Sequence, residues 1–172
     1  ALNIINQFRD SDEISVTNVY SNNKNSPFFN SQDDSKVSTS CFSNDQLSSS
    51  VFEELKTIDP DLIVLAGFLR KIPDTYIDYF ENKIINIHPS ILPSYGGKGM
   101  YGSKIHNKVI ENNESETGIT IHYVSNQYDS GEIIFQKKII IEDNDTAKSI
   151  EEKIHILEYE YYPKVIKSLL IK

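Results

Sequence analysis

The sequence predicts an α/β protein built on an open, mostly parallel sheet, with an antiparallel hairpin late in the chain. Three stretches carry that expectation. "LIVLAG", beginning at Leu62, is a continuous apolar run, the pattern of a strand buried on both faces of a parallel sheet. "PDTYIDYF" and "KIINI" then supply a short helix, with Pro73 near its first turn, and a second strand, which together make a strand, helix, strand crossover. Residues 118–124 and 132–141 read as two further strands, and "SNQYDSG" between them is short enough for a hairpin.

The other elements follow from spacing. Leu2, Ile5 and Phe8 recur at helical intervals with no capping residue before them, so the sequence reads as starting inside a helix. Residues 14–20 alternate as a loose strand, "SNNKNSP" is a turn, and residues 37–42 form a short weak strand. The first fifty residues hold 12 Ser and 8 Asn, yet this apolar periodicity marks them as loop-rich folded structure rather than a tail. Leu47, Val51, Leu55 and Ile58 share one face of a helix that Asp45 can cap and Pro60 stops. A helix is expected over residues 103–112. A long amphipathic helix is expected from Thr146, with Ile150, Ile154, Leu157 and Tyr161 on one stripe and Pro163 breaking or kinking it.

Composition narrows the class of function. A chain of 172 residues fits one domain, residues 1–172, with a real hydrophobic core. The 17 Lys and Arg against 25 Asp and Glu leave a formal net charge of -8, which argues against a broad surface for nucleic-acid backbone or anionic membrane. No apolar run approaches the roughly 20 residues that span a bilayer, and no signal peptide is visible at the start. The single cysteine, Cys41, reads as a small core residue, and nothing resembles a Cys/His metal cluster. A reduced compartment, the cytoplasm, is the expected location.

In open α/β sheets ligands bind beyond the carboxyl ends of the strands, so "IINIHPS" is the first place to look. Asn86 and His88 are two apart in extended chain and leave the same face of the strand end, and Pro89 keeps His88 out of helical conformation. An amide donor beside an imidazole suits stabilisation of a developing oxyanion followed by proton transfer. The competing reading makes Asn86 a partner of turn backbone and His88 a capped surface residue. Asp129, in "YDSGE", opens the last strand. If the hairpin lies beside the Asn86 strand, its carboxylate would reach His88, favour the charged imidazole and hold one tautomer; otherwise it simply forms an Asx turn.

Other polar residues carry weaker signals. "GKGMYG" fits a dinucleotide fingerprint in letters only, because "HPSILPSYG" separates it from the strand; it is better read as a flexible loop opening a helix. His122 reads as a hydrogen-bonded, partly buried strand residue, with support of the site as the minor alternative, and His106 as solvent-facing. His155 and Glu158 are neighbours on one helical face, either a solvated pair or a ligand-facing one.

Four segments in order, "PDLIVLAGFLRKIP", "IINIHPSILPSYGGKGMYG", "TGITIHYVSNQYDSGEIIFQ" and "HILEYEYYP", resemble the phosphoribosylglycinamide formyltransferase family of folate-dependent formyltransferases. The joint occurrence of N-x-H-P-S and a downstream D-x-G turn is the most specific part, and the resemblance covers essentially residues 1–172. It implies a Rossmann-like formyltransferase fold in which His88 is the catalytic acid, Asn86 the partner of the formyl oxygen and Asp129 the carboxylate supporting the histidine. It places the folate on Leu69, Arg70, Lys71 and Ile72, on Asn86, and on Ser125, Asn126, Gln127, Tyr128 and Asp129. It places the ribonucleotide on Gly67, Pro89, Ser90, His155, Ile156, Leu157 and Glu158, with Glu158 facing the sugar hydroxyls. The chain departs from the family at its start, where the first strand and a glycine-rich phosphate loop are expected, since its first glycine is Gly67. It departs also at Asn44, near a position that often carries a basic residue for the folate tail.

The activity the resemblance implies is transfer of a formyl group from 10-formyltetrahydrofolate, as cosubstrate, to the primary amine of glycinamide ribonucleotide in purine biosynthesis, with no metal. The alternatives are the core of a formyltetrahydrofolate hydrolase or of a methionyl-tRNA formyltransferase, for whose extra domains 172 residues leave no room, or an inactive folate- or nucleotide-binding domain if the first loop is truly missing. Two small-molecule partners, no nucleic acid, no membrane, and a monomer or weak homodimer complete the expectation.

Overall fold

In the computed structural model, which describes residues 1–30 and 37–171, contacts divide the chain into two units, residues 1–61 with 167–172 and residues 62–166. The first unit contains α1 (Leu2–Phe8), β1 (Asn18–Ser21), α2 (Pro27–Asn30), β2 (Ser38–Cys41), α3 (Asn44–Leu47) and α4 (Ser50–Ile58), with β1 and β2 paired in parallel. Four expectations change here. The strand expected over residues 14–20 is confined to Asn18–Ser21, because the Ser11 hydroxyl accepts the backbone N–H groups of Glu13 and Ile14 and holds that stretch in a turn. The helix on the Leu47 stripe is two helices interrupted at Ser48 and Ser49. Its cap is Ser43, whose N–H donates to Gln46 Oε1 at 2.8 Å in a capping box, rather than Asp45. Cys41 ends β2 exposed, not in the core.

The second unit holds β3 (Ile63–Leu65), α5 (Asp74–Tyr79), β4 (Ile84–His88), α6 (Ser103–Glu111), β5 (Glu116–Tyr123), β6 (Ile133–Ile140) and α7 (Ala147–Leu170) up to Ile166. Its sheet runs β3-β4-β5-β6. The β3-α5-β4 crossover pairs its strands in parallel, and β5 and β6 form the expected antiparallel hairpin. Antiparallel pairing begins one strand earlier than the hairpin, because β5 also runs against β4. The apolar run at Leu62 yields a three-residue strand only half-buried, not one covered on both faces, since β3 lies at the edge of this sheet. At the other edge β6 exposes Lys137 and Lys138, charges of the kind that discourage further strand pairing.

Ile105 and Val109 of α6, Ile119 of β5 and Ile150, Ile154 and Leu157 of α7 form one buried cluster, so the stripe read from α7 does face a core. α7 continues through Pro163. His106 does not face solvent as expected: it is buried beside Ile105 and Val109, with Nδ1 lacking a hydrogen-bond partner. The apolar face of α6 is wide enough to include it, and burial depresses its basicity, with Glu151 partly opposing.

Tyr162 of α7 ties the helix to the sheet. Its buried hydroxyl is shared between the carbonyl oxygens of Leu65 at 2.9 Å and Ile85 at 3.2 Å, one on each strand of the crossover. Tyr162→Phe leaves both carbonyls without that donor, and the expected cost is about 1–3 kcal/mol in equilibrium urea unfolding; an unchanged midpoint would show that the hydroxyl contributes nothing. Two buried histidines make the fold sensitive to acid. His106 and His122 are both held below the ordinary value of 6.5, chiefly by burial. The unfolded chain takes up their protons first, so stability is lost as pH falls through the unfolded value. The urea midpoint should be level above about pH 7.5 and fall between about pH 6.5 and 5, and His106→Leu should flatten part of that fall.

Candidate active site

Strand periodicity builds the first half of the site. Asn86 and His88 lie on one face of β4, and antiparallel pairing sets His122 of β5 directly opposite Asn86 and Thr120 opposite His88. Asn86 Nδ2 donates to His122 Nε2 at 3.3 Å, while His122 Nδ1 donates to the Tyr123 carbonyl at 2.8 Å. A carbonyl only accepts, so Nδ1 carries the proton and Nε2 presents a lone pair to the amide. Burial favours this neutral form by pushing the His122 imidazole down, against the Tyr123 carbonyl and the Asp129 carboxylate, which pull it up, and with His88 adding to the depression. His122 thereby fixes which end of the Asn86 amide points inward and leaves the second N–H of that amide for another acceptor.

Two loops complete the site. His88, 4% exposed, donates through Nε2 to the carbonyl of Tyr95 at 2.8 Å and turns Nδ1 toward Asp129 Oδ1 at 3.6 Å. That separation is an ion-pair distance for the protonated ring and too long for a hydrogen bond, so an oxygen of a third group has room to share the Nδ1 proton. Asp129 Oδ1 also lies 3.8 Å from His122 Nε2, and Oδ2 accepts the backbone N–H of Gly97 at 2.9 Å. Asp129 itself is left-handed, at φ 53°, in the β5–β6 hairpin. That turn needs Gly131, where any Cβ would collide with the Tyr123 carbonyl. Asn86, His88 and Asp129 thus come together from two separate segments, with His122 between them.

The loop after His88 is pinned from beneath. The buried Thr120 hydroxyl donates to the Ser90 carbonyl at 2.7 Å and accepts from the Leu92 N–H at 3.0 Å and from Gln136 Nε2 at 2.9 Å; Gln136 Nε2 also reaches the Leu92 carbonyl at 3.0 Å. Ser90 is buried, with its hydroxyl donating to the Ser94 carbonyl. Gly96 closes the loop against the hairpin, since a Cβ there would stand 2.7 Å from Leu92 Cδ2 and 3.3 Å from Asp129 Cβ. The glycine-rich stretch beyond opens α6, and Gly97, Gly99 and Gly102 all adopt positive φ.

Beside the hairpin lies a cavity of about 470 Å³ whose lining includes the apolar Ile77, Phe80, Ile84 and Val124 and the polar Ser125, Asn126 and Gln127. Of the residues expected on this side, Leu69, Arg70 and Lys71 are exposed between β3 and α5, Ile72 is buried, and none of the four is in the cavity lining; Tyr128 is exposed at the hairpin tip. Of those expected on the other side, Gly67 is exposed after β3 at φ 71°, and Pro89 is half-buried. On α7, His155 and Ile156 are exposed and Leu157 is buried. Glu158 is half-buried, and burial raises its carboxyl, with His155 partly offsetting. Among the described residues no group of three or more His, Cys, Asp or Glu is placed to hold a metal ion. Sequence reasoning missed the Tyr95 carbonyl, the Gly97 N–H and the Thr120–Gln136 pair. Backbone groups leave no mark in composition, but the alternation of β5 and β6 could have set Thr120 on the same face as His122 and Gln136 across from it.

Comparison with known proteins agrees with this architecture. The sequence signature of the family described as formyl transferase matches residues 2–166. The phosphoribosylglycinamide formyltransferase of Bacillus subtilis is 44% identical over 120 residues, 70% of this chain and 59% of that protein. The chloroplastic enzyme of the same name from Vigna unguiculata is 40% identical over 117 residues, 68% of this chain and 38% of its own length. The chain therefore matches less than two thirds of the length of these relatives. Among solved structures, phosphoribosylglycinamide formyltransferase from Bacillus halodurans superimposes with a TM-score of 0.86 at 28% identity, covering 99% of this chain and 89% of that one. Glycinamide ribonucleotide transformylase 1 from Geobacillus kaustophilus gives 0.86 at 30% identity, covering 98% and 91%. A signature that runs almost the whole length of the chain, together with a relative at 44% identity, shows that the chain belongs to the formyl transferase family.

Proposed function

We propose that this chain transfers the formyl group of 10-formyltetrahydrofolate to the primary amine of glycinamide ribonucleotide, as a single domain over residues 1–172. The observation that carries the reading is the meeting of the Asn86 amide, the His88 imidazole and the Asp129 carboxylate at the end of β4, in a chain whose relatives bear that activity in their names. The folate donor supplies an electrophilic formyl carbon and a nitrogen leaving group. The free N–H of Asn86 and the protonated Nδ1 of His88 are placed to share the negative charge that grows on the formyl oxygen. With Nε2 committed to the Tyr95 carbonyl, Nδ1 is the atom through which His88 holds and moves a proton, and the Asp129 carboxylate stands 3.6 Å from it.

The donor set fits a folate. A flat heterocycle suits Ile77, Phe80, Ile84 and Val124 of the cavity lining, and its polar edge suits Ser125, Asn126 and Gln127 there, with Tyr128 and Asp129 next along the hairpin outside that lining. Leu69, Arg70, Lys71 and Ile72 would lie along the rest of the donor. The amine substrate would lie against Gly67, Pro89, Ser90 and the α7 face from His155 through Ile156 and Leu157 to Glu158. Ser90 would contribute backbone, since its hydroxyl is turned to Ser94. Glu158, half-buried and carrying a raised carboxyl, is suited to hydroxyl groups of a sugar.

Incubation of the chain with both substrates should yield the formylated amine by mass spectrometry; formate released with the amine unmodified would mean hydrolysis instead. His88→Ala should lower turnover by roughly 10²- to 10⁴-fold while the dissociation constant of a folate analogue stays within about twofold. Asp129→Asn keeps the acceptor for Gly97 but removes the charge, so a loss of about 10- to 100-fold in turnover is expected. Full activity of that variant in a steady-state assay would take Asp129 out of the reaction.

A further inference from the structure

Tyr95 is bonded at both ends and packed between them. It is a bulky residue in the left-handed region, at φ 58°, where a side chain is disfavoured and the surroundings must hold it. Its carbonyl accepts the Nε2 proton of His88 at 2.8 Å, while its phenol lies at the other end of the residue, against the C-terminal turn of α6. There the hydroxyl donates to Glu114 Oε1 at 2.6 Å and accepts from Asn112 Nδ2 at 2.8 Å. Both partners sit on firm backbone: Asn112 closes the helix, and the Glu114 N–H donates to the Val109 carbonyl at 3.1 Å. Between its two ends the ring packs against the α6, β5 and α7 core cluster.

A neutral imidazole carries one proton, and which nitrogen holds it depends on what the other nitrogen meets. An acceptor fixed on Nε2 leaves the Nδ1 lone pair facing Asp129, the arrangement in which Nδ1 can take up and release a proton. Without a fixed acceptor, the carboxylate itself would favour a proton on Nδ1 and a bare Nε2, which is the wrong way round for exchange at Nδ1. We propose that Tyr95 is a positioning residue: latched through its phenol to Asn112 and Glu114, it holds its carbonyl on His88 Nε2 and fixes the imidazole tautomer that leaves Nδ1 for the reaction. The kinetic consequence rests on the formyl-transfer reading; the tautomer does not.

Nitrogen NMR of the imidazole in the free chain separates the two. In the wild type with a neutral His88 ring, the resonances should show a protonated Nε2 and a bare Nδ1. In Tyr95→Phe, which keeps the ring and its packing, and in Glu114→Ala, the two nitrogens should move toward each other. Turnover should fall by about 3- to 30-fold with KM for both substrates held within about twofold, the mark of lost positioning rather than lost binding. Glu114→Gln, which still offers an oxygen to the phenol, should restore both readouts. A wild-type His88 protonated on Nδ1, or Tyr95→Phe resonances identical to wild type, overturns the proposal. A chain silent in formyl transfer whose resonances behave as stated overturns the assigned reaction and leaves the role of Tyr95 standing.

Discussion

A hydroxyl wholly enclosed by a sheet has to find its partners there, because water cannot reach it. Thr120 on β5 is such a group, and its neighbours use its full capacity: one proton given to the Ser90 carbonyl, two accepted from the Leu92 N–H and the Gln136 amide. Those bonds clamp the loop after His88 onto the antiparallel half of the sheet. The length of chain from Leu92 onward then decides where the loop re-emerges, and it does so with the Tyr95 carbonyl on one side of His88 and the Gly97 N–H on Asp129. Without the clamp the imidazole would be held only by its own strand, and the carboxylate would lose its backbone donor.

Charge is limited as tightly as geometry. The Asp129 side chain is 11% exposed and stands near two imidazoles, so its charge needs a partner. Burial keeps His122 neutral and turns its lone pair to Asn86, which removes one candidate. His88 is left as the other imidazole facing that carboxylate, with Nδ1 3.6 Å from Asp129 Oδ1. The same neutrality lets His122 accept from Asn86, so the orientation of the amide and the charge state of the site have a single cause.

Side-chain periodicity was the most legible part of this chain. Asn86 and His88 stand on one face because strands repeat every two residues, and "IINIHPS" states that plainly. The crossover, the hairpin and the α7 stripe were readable for the same reason. Where competing local bonds decide structure, periodicity is silent: Ser43 with Gln46 displaces Asp45 as a cap, and the Ser11 hydroxyl shortens β1. His106 misled because a polar letter on an apolar face gives no sign of how wide the buried face is. The groups that hold His88 and Asp129 are a carbonyl and an N–H, which every residue possesses, so only the folded loop reveals which ones are used.

That division of labour has a physical reason. Side chains that take part in chemistry must change charge or hydrogen bonding, whereas the groups that aim them must not. Backbone carbonyls and N–H groups do not titrate, and a loop pinned at Thr120 and packed through Gly96 presents them with little freedom left to lose. The cost is local: Tyr95 and Asp129 both adopt left-handed conformations that an L side chain avoids, and each is compensated at once by a contact in the site. Strain at those two positions and satisfaction at Thr120 are therefore one arrangement: the sheet fixes the loop, the loop supplies non-titrating partners, and the imidazole between them gives Nε2 to the loop and turns Nδ1 to Asp129.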